Sequence, residues 1–346
     1  MKRLLMLLLI LFACAFPVHA LELTAPEAPE FGRDFMPEDT TNLNSGLNEL
    51  LQKALLQLRP DLKEATKVCL GIISMVLVVS MIRVVPGGAG KSADLAGTVG
   101  ISGLFLSSAG VLINLGAETV MEVSSYGKLL LPVLTAALAA QGGITTSSAL
   151  YAGTALFDSL LSALITKALV PMIYFYLAIS AANSAIGEDL LKKIRDTVKW
   201  FMTWSLKTVL YIFTGYISIT GVVSGPTDAA ALKAAKLTIS GVIPVVGGIL
   251  SDASEAVLVG AGAVKNSIGL YGLFAVIAIW IEPFLKIGTH YLLLRFTGGI
   301  CSIFASKSVA DLIQDFATGM GYLLAMTGAV CLMLLISIIC FMRGVS

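Results

Sequence analysis

The feature that most constrains this chain is a series of long apolar stretches. A helix needs about 20 apolar residues to cross the hydrocarbon core of a bilayer. Six stretches meet that requirement: residues 68–85, 95–116, 168–187, 208–225, 267–287 and 318–342. The whole chain is only 13% charged, whereas soluble domains usually carry about 25% charged residues. The sequence therefore predicts an all-α polytopic membrane protein with about six secure spans, in residues 67–346.

Two further segments precede the predicted membrane domain. Residues 1–20 combine Lys2 and Arg3 with an apolar run and a final Ala20, which is typical of a signal peptide. Cleavage there would leave the mature N-terminus outside the cytoplasm; the alternative is an uncleaved first helix. Residues 21–66 are predicted to be an acidic extracytoplasmic arm.

The second half of this arm has leucines at helical spacing. They predict an amphipathic helix of about three turns that starts behind Ser45 and ends at Pro60. Its apolar face either docks a partner or packs on the protein's own membrane domain.

Two apolar regions are interrupted by glycine pairs, Gly142-Gly143 and, 105 positions later, Gly247-Gly248. Paired interruptions in corresponding halves of a membrane protein indicate a transporter-like site. Non-helical backbone at membrane depth is tolerated only where protein or water satisfies it. We therefore predict two re-entrant hairpins related by an internal repeat. The alternatives are full crossings, and a chance similarity between Gly/Ala-rich segments that pack closely.

Ionisable residues in apolar segments are costly and therefore suggest function. Asp158 lies within one such segment, and Glu282 lies in another, where it could instead pair with Lys286 one helical turn away. Together with the interrupted segments they give the candidate pathway or hairpin residues: Gly142, Gly143, Thr145, Asp158, Gly247, Gly248, Ser251, Asp252, Ser254, Glu255 and Glu282.

A basic amphipathic segment occupies residues 188–207. Its apolar residues share one helix face and its lysines the other, which predicts an interfacial helix on the cytoplasmic side of the membrane. The basic and border residues are Lys192, Lys193, Arg195, Lys199, Trp200 and Trp204.

No enzymatic arrangement emerges from the sequence. The histidines are His19 and His290, the five cysteines show no CxxC spacing, and no Walker A motif is present. We therefore expect no enzyme activity, no catalytic residues, no cofactor and no metal site. The net charge of +1 gives no reason to expect a nucleic-acid partner.

The leader, the acidic arm, the basic helix and above all residues 244–269, PVVGGILSDASEAVLVGAGAVKNSIG, resemble the stage III sporulation protein AE family of endospore-forming bacteria. The resemblance implies a multi-pass subunit of the channel complex in the mother-cell membrane around the forespore, required after engulfment. It also implies three kinds of partner: other stage III sporulation membrane proteins, a separate ATPase subunit and a forespore-side protein. It supplies no catalytic residues.

Three functions remain open from the sequence. The first is a channel or permease-like subunit that works only within the complex. The second is a stand-alone secondary transporter of a small solute, which would need a coupling-ion site near groups such as Asp158. The third is a membrane scaffold whose interrupted segments merely pack.

Overall fold

The computed structural model describes residues 23–84, 90–242 and 247–343, without the side chains of residue 91 and of residues 221–260. The predicted signal peptide, residues 1–20, lies outside the described residues. Within the described ranges the regular structure is helical and no strand occurs. This confirms the all-α prediction.

A short helix and seven longer ones follow one another along the chain. A π-helical turn, Ile165–Leu169, joins α4 to α5, so residues 144–186 form one continuous rod. The helices are α1 (Glu30–Arg33), α2 (Leu43–Val84), α3 (Gly90–Ala140), α4 (Ile144–Leu164), α5 (Val170–Ile186), α6 (Asp189–Val242), α7 (Gly247–Cys301) and α8 (Lys307–Arg343).

Five helices of the described chain are long and apolar enough to cross a membrane. They are Leu43–Val84, Ser92–Ala140, Ile144–Ile186, Ala261–Cys301 and Lys307–Arg343. The predicted span at 208–225 falls within α6, and its end lies among residues whose side chains are not described. At 1.5 Å per residue, the 42 residues of α2 extend about 63 Å, roughly twice the hydrocarbon core of a bilayer.

These long rods correct the predicted end of the amphipathic helix. It does not stop at Pro60, since α2 runs through this proline to Val84. Nor does Ser45 cap it. The backbone N–H of Asn44 instead donates to the side-chain oxygen of Asn42 at 3.0 Å, which is the usual N-cap arrangement. The cost of an internal proline is offset by packing, because Asp61 and Ala65 just beyond it are buried.

Cross-helix contacts establish the direction of each helix. Gly46 packs on the ring of Phe274, and Ser80 donates to the carbonyl oxygen of Phe304 at 2.8 Å, so α2 and α7 run parallel. Arg83 at the end of α2 lies 3.6 Å from Asp94 at the start of α3, so these two helices are antiparallel.

Helix α8 packs against several of the other helices, and its contacts give the directions of the remaining ones. Thr154 of α4 donates to Ser337 at 2.9 Å, and Ser184 of α5 donates to the carbonyl oxygen of Ser308 at 2.8 Å. The α4–α5 rod and α8 are therefore antiparallel. Phe105 of α3 stacks on Phe316 with ring centroids 4.1 Å apart. The result is an up-and-down bundle in which α2, α4–α5 and α7 run one way and α3, α6 and α8 the other.

The arm before α2 packs onto this bundle. The backbone N–H of Ala28 donates to the hydroxyl of Tyr271 at 3.2 Å, and the hydroxyl of Tyr126 donates to the carbonyl oxygen of Pro26 at 3.3 Å. The predicted apolar face of α2 packs only in part on the protein's own bundle. Leu50 is buried in a small cluster with Phe274, whereas other leucines of the predicted face, such as Leu51 and Leu55, are exposed.

Candidate functional site

The first glycine-interrupted segment is a tight turn between two long helices. α3 ends at Ala140 and α4 begins at Ile144. Gly142 has φ +94°, a left-handed conformation that glycine adopts without steric cost. The backbone N–H groups of Gly142 and Gly143 donate to the carbonyls of Ala139 (2.8 Å) and Leu138 (3.2 Å). The region is thus a helical hairpin at one end of the bundle, where Thr145 is exposed.

This geometry corrects the re-entrant hairpin predicted at Gly142-Gly143. The apolar residues before the turn belong to the same helix as residues 95–116, and those after it continue into residues 168–186. The charged stretch between Glu118 and Lys128 contains no proline. It remains helical, with both of these side chains exposed.

The second interrupted segment opens α7, the helix that contacts the first hairpin further along its length. Gly247 is the first residue of α7, so its backbone and those of the following candidates are helical rather than irregular. The side chains of Ser251, Asp252, Ser254 and Glu255, like Gly248, fall in the range that is not described. Further along α7, Gly262 lies against the side chain of Gln141.

Asp158 is a deeply buried candidate, with 2% of its surface exposed. The hydroxyl of Ser124 on α3 donates to its Oδ2 at 2.6 Å. Its second oxygen, Oδ1, has no hydrogen-bond partner, and Lys128 of α3 lies within electrostatic range. A buried carboxyl with one free oxygen is an acceptor site inside an otherwise apolar helix contact.

Glu282 does not pair with Lys286. The Lys286 ammonium instead lies 3.6 Å from Glu64 of α2. Near this pair are two buried groups that the sequence analysis did not place among the candidates. Asp61 of α2 is 4% exposed and His290 of α7 is 2% exposed.

The basic helix is the start of α6, and its charges divide into two groups. Lys192, Lys193 and Lys199 are exposed. The rings of Trp200 and Trp204 stack on the surface with centroids 6.0 Å apart. The segment is one continuous helix with the rest of α6, rather than the separate interfacial helix that the sequence predicts.

Arg195 turns inward instead. Its Nη1 donates to Asp315 of α8 at 2.7 Å, and the hydroxyl of Tyr176 donates to the other oxygen of the same carboxylate at 2.9 Å. Burial disfavours the guanidinium charge, but the carboxylates of Asp315 and Asp196 outweigh it and raise the pKa of Arg195 above its ordinary value.

Helical spacing contained the signal for the inward position of Arg195 and for the missed residue Asp61. Arg195 lies four positions after Leu191 and three before Val198, on the face that is buried. Asp61 likewise lies four positions before the buried Ala65, but the sequence predicts that the helix ends at Pro60. Nothing in the local sequence around Asp315 identified Arg195 as its partner.

Comparison with known proteins identifies the family of this chain. The family model for stage III sporulation protein AE matches residues 33–344. The chain belongs to the stage III sporulation protein AE family. Stage III sporulation protein AE of Bacillus subtilis (strain 168) is 26% identical over 236 residues, which cover 68% of this chain and 59% of that protein. The chain thus matches less than two thirds of its relative's length, and no solved structure matches it.

Membership in the stage III sporulation protein AE family confirms the resemblance seen in the sequence. It assigns the chain a role in sporulation, and the five apolar helices make that role one in a membrane.

Proposed function

We propose that this chain is a permease-like subunit of a membrane complex that links mother cell and forespore. In this proposal it sits in the mother-cell membrane around the forespore with its mature N-terminus extracytoplasmic, and it is required for forespore development after engulfment. It works with other stage III sporulation membrane proteins, a separate ATPase subunit and a forespore-side protein, and has no catalytic activity of its own.

The observation that carries this proposal is the buried carboxyl of Asp158. Burying a charged group within an apolar helix costs free energy. The surrounding side chains also prevent the Asp158 carboxyl from reaching water, since only 2% of the residue's surface is exposed. A structural role alone would be met by a neutral side chain. Retaining a carboxyl with one unpartnered oxygen supports a role in handling a polar or ionic species.

The test replaces Asp158 in a sporulating host in which this chain is the sole copy. Asp158→Asn keeps the size of the side chain and an oxygen that accepts from Ser124, but removes the charge. We expect normal accumulation and normal co-purification with partner proteins, together with arrested forespores and a loss of heat-resistant spores. The matched control is Glu118→Gln, which removes an exposed carboxylate from α3 and should sporulate normally.

Two results would contradict the proposal. Normal sporulation of Asp158→Asn would show that the charge has no function in the pathway. Loss of co-purification in parallel with loss of spores would instead identify a scaffold, since flux and assembly would then fail together.

A further inference from the structure

The outward side of α6 carries four lysines and two tryptophans between residues 189 and 207. This basic face consists of Lys192, Lys193, Lys199, Trp200, Trp204 and Lys207, all of which are exposed. Val198, Met202 and Leu206, one turn apart on the opposite side of the helix, are buried against the bundle. Asp189 and Asp196 also lie on the basic face, so it is net positive, with four lysines against two carboxylates.

The lysines of the basic face have no partners in the described part of the chain. None of the four lies within 4.0 Å of a described carboxylate oxygen. Asp196 contacts Arg195 instead, at 3.0 Å.

Contacts of α6 establish which parts of the other helices lie at the same height in the bundle. Arg195 of α6 and Tyr176 of α5 donate to the same carboxylate, that of Asp315. One residue further along α8, Phe316 stacks on Phe105 of α3. The basic face around Arg195 is therefore level with the middle of α5 and with the part of α3 that contains Phe105.

At this height α3 and α5 present apolar surfaces. Residues 95–117 and 168–187 contain no charged side chain. Some of their large apolar side chains point away from the bundle, since Leu104 is 41% and Phe175 is 52% exposed. Long uncharged stretches of this kind are suited to the hydrocarbon core of a bilayer. By contrast, α6 exposes lysines at the same height.

Lys199 lies too deep for its ammonium group to reach an interface. It follows Asp189, at the end of the bundle, by ten positions, or about 15 Å of helix, and the hydrocarbon core is about 30 Å thick. Lysines near a helix end can extend their stems to the headgroups, which applies to Lys192 and Lys193. A charged group at greater depth faces the bundle interior or a water-filled cavity. Lys199 is exposed, which excludes the bundle interior.

We propose that the basic face of α6 lines a water-filled path beside the bundle and that this path admits anions. Lysines along the wall of a pore favour anions over cations. The bundle covers the opposite side of α6, so other subunits of the complex supply the rest of the wall. This inference rests on the proposed permease function and adds the charge of the solute to it.

A dry contact with an acidic partner explains the lysines less well. Such a partner would need a carboxylate placed against each lysine, because a buried ion pair offsets its desolvation only when the geometry is close. Water meets the needs of all four lysines without that requirement.

Cysteine reactivity at matched depth tests the path. Lys199→Cys on the basic face is compared with Phe175→Cys on the apolar surface of α5, in a background that lacks the native cysteines and still forms spores. Membranes from sporulating cells, with the complex intact and both faces open to reagent, are treated with an anionic or a cationic methanethiosulfonate. Each rate is divided by the rate of the same reagent with a small thiol in solution.

We expect Lys199→Cys to react and Phe175→Cys to remain unlabelled. At Lys199→Cys the anionic reagent should be favoured by about tenfold, the lower end of the enhancement found in charge-lined clefts.

Second substitutions assign this preference to the basic face. Adding Lys193→Gln or Lys207→Gln to Lys199→Cys should lower the anion preference by about twofold each, as expected for one charge roughly 10 Å away in water. Lys63→Gln removes an exposed lysine from α2 and should leave the preference unchanged.

Any of three results rules out the path. Protection of Lys199→Cys in the assembled complex would show that a partner or lipid covers the basic face. Equal normalised rates for the two reagents would show that the face does not select anions. Equal reactivity of Lys199→Cys and Phe175→Cys would place this height of the bundle outside the membrane, where lysines need no path.

Failure of this inference and failure of the permease proposal give different results. Anion preference at Lys199→Cys together with normal sporulation of Asp158→Asn would support the path and remove the role of Asp158. Protection of Lys199→Cys together with arrested forespores in Asp158→Asn would overturn the path alone.

Discussion

At the scale of single residues, the contact between Arg195 and Asp315 is a charge-assisted hydrogen bond between α6 and α8. The side chains are 13% and 15% exposed and lie 2.7 Å apart. Removing one partner of a buried pair leaves the other charge uncompensated, at a cost of about 3–5 kcal/mol. We expect Asp315→Asn to lower the free energy of unfolding by about 3 kcal/mol, measured by denaturant titration in detergent.

The matched control for that prediction is Asp196→Asn. Asp196 also contacts Arg195, at 3.0 Å, but its side chain is 54% exposed, and exposed pairs contribute about 0–1 kcal/mol. If the two variants lowered the free energy of unfolding equally, the buried contact with Asp315 would contribute no more to stability than the exposed contact with Asp196.

Asp39 provides a pH-dependent feature outside the membrane-spanning helices. Its carboxylate accepts hydrogen bonds from the hydroxyls of Ser45 and Thr41, both at 2.6 Å, and these lower its pKa from 3.8 to about 2. Because the folded-state pKa is depressed, the contribution is complete above the unfolded pKa of 3.8 and is lost as the pH falls toward about 2.

We therefore expect the turn before α2 to loosen in that acidic window and not above it. NMR of the Thr41 amide, which donates to Asp39 at 2.9 Å, should report a midpoint near 2, and Asp39→Asn should abolish the transition. A midpoint at the ordinary value for aspartate would contradict the hydrogen bonding described here.

At the scale of elements, α4 and α6 approach closely at Gly153. A β carbon at this position would fall on the ring of Tyr216, whose hydroxyl donates to the carbonyl of Ala149 at 2.9 Å. A rigid ring cannot give way cheaply, so Gly153→Ala should destabilise the protein by about 1–3 kcal/mol. Thermal unfolding in detergent measures the difference.

Gly103 is the control for this prediction, since a β carbon there would meet open space within α3. The higher helix propensity of alanine should make Gly103→Ala neutral or stabilising by up to about 1 kcal/mol. Opposite signs for the two variants are the result to look for. Destabilisation by both would show that small residues matter throughout these helices rather than at the contact.

Element boundaries were the least predictable part of this fold. Hydropathy ends the predicted span 95–116 well before Ala140, because Glu118, Glu122 and Lys128 lower the local average. No turn residues accompany those charges, however, and the backbone simply continues. Pro60 wrongly predicted a helix end. Proline breaks an isolated helix, but in α2 the packing of the neighbouring residues against α7 keeps the backbone helical.

At the scale of the whole molecule, the alternating directions of the helices divide their termini between the two ends of the bundle. Val84, Ile186, Asp189 and Lys307 mark one end of the bundle, and Leu43, Ala140, Ile144 and Arg343 the other. The first end also carries the exposed lysines of α6. Because basic residues favour the cytoplasmic side, we expect a single cysteine at Glu188 to react with impermeant reagents from the cytoplasm and one at Thr41 only from the opposite side.

That experiment uses a background in which the native cysteines of the mature chain are replaced. Cys69, Cys301 and Cys331 are buried and free, and Cys340 is half-buried, so serine or alanine substitutions are required before labelling. Reaction of both positions from the same side would contradict the alternating bundle or its orientation.

The sequence predicted the class of the molecule and part of its chemistry. Composition and apolar length suffice for an all-α membrane protein, and a carboxyl such as Asp158 stands out in an apolar run. Partners cannot be predicted in the same way. Glu64 and Lys286 are 222 positions apart in the chain, and only the parallel packing of α2 and α7 brings them into contact.

The length of α2 has a mechanical consequence. Asp61 is near the midpoint of Leu43–Val84, so about 30 Å of helix extends from it in each direction. A tilt of α2 by about 5° around Asp61 would move each end of the helix by roughly 2–3 Å. A change at this position that tilts α2 would therefore move both of its ends at once.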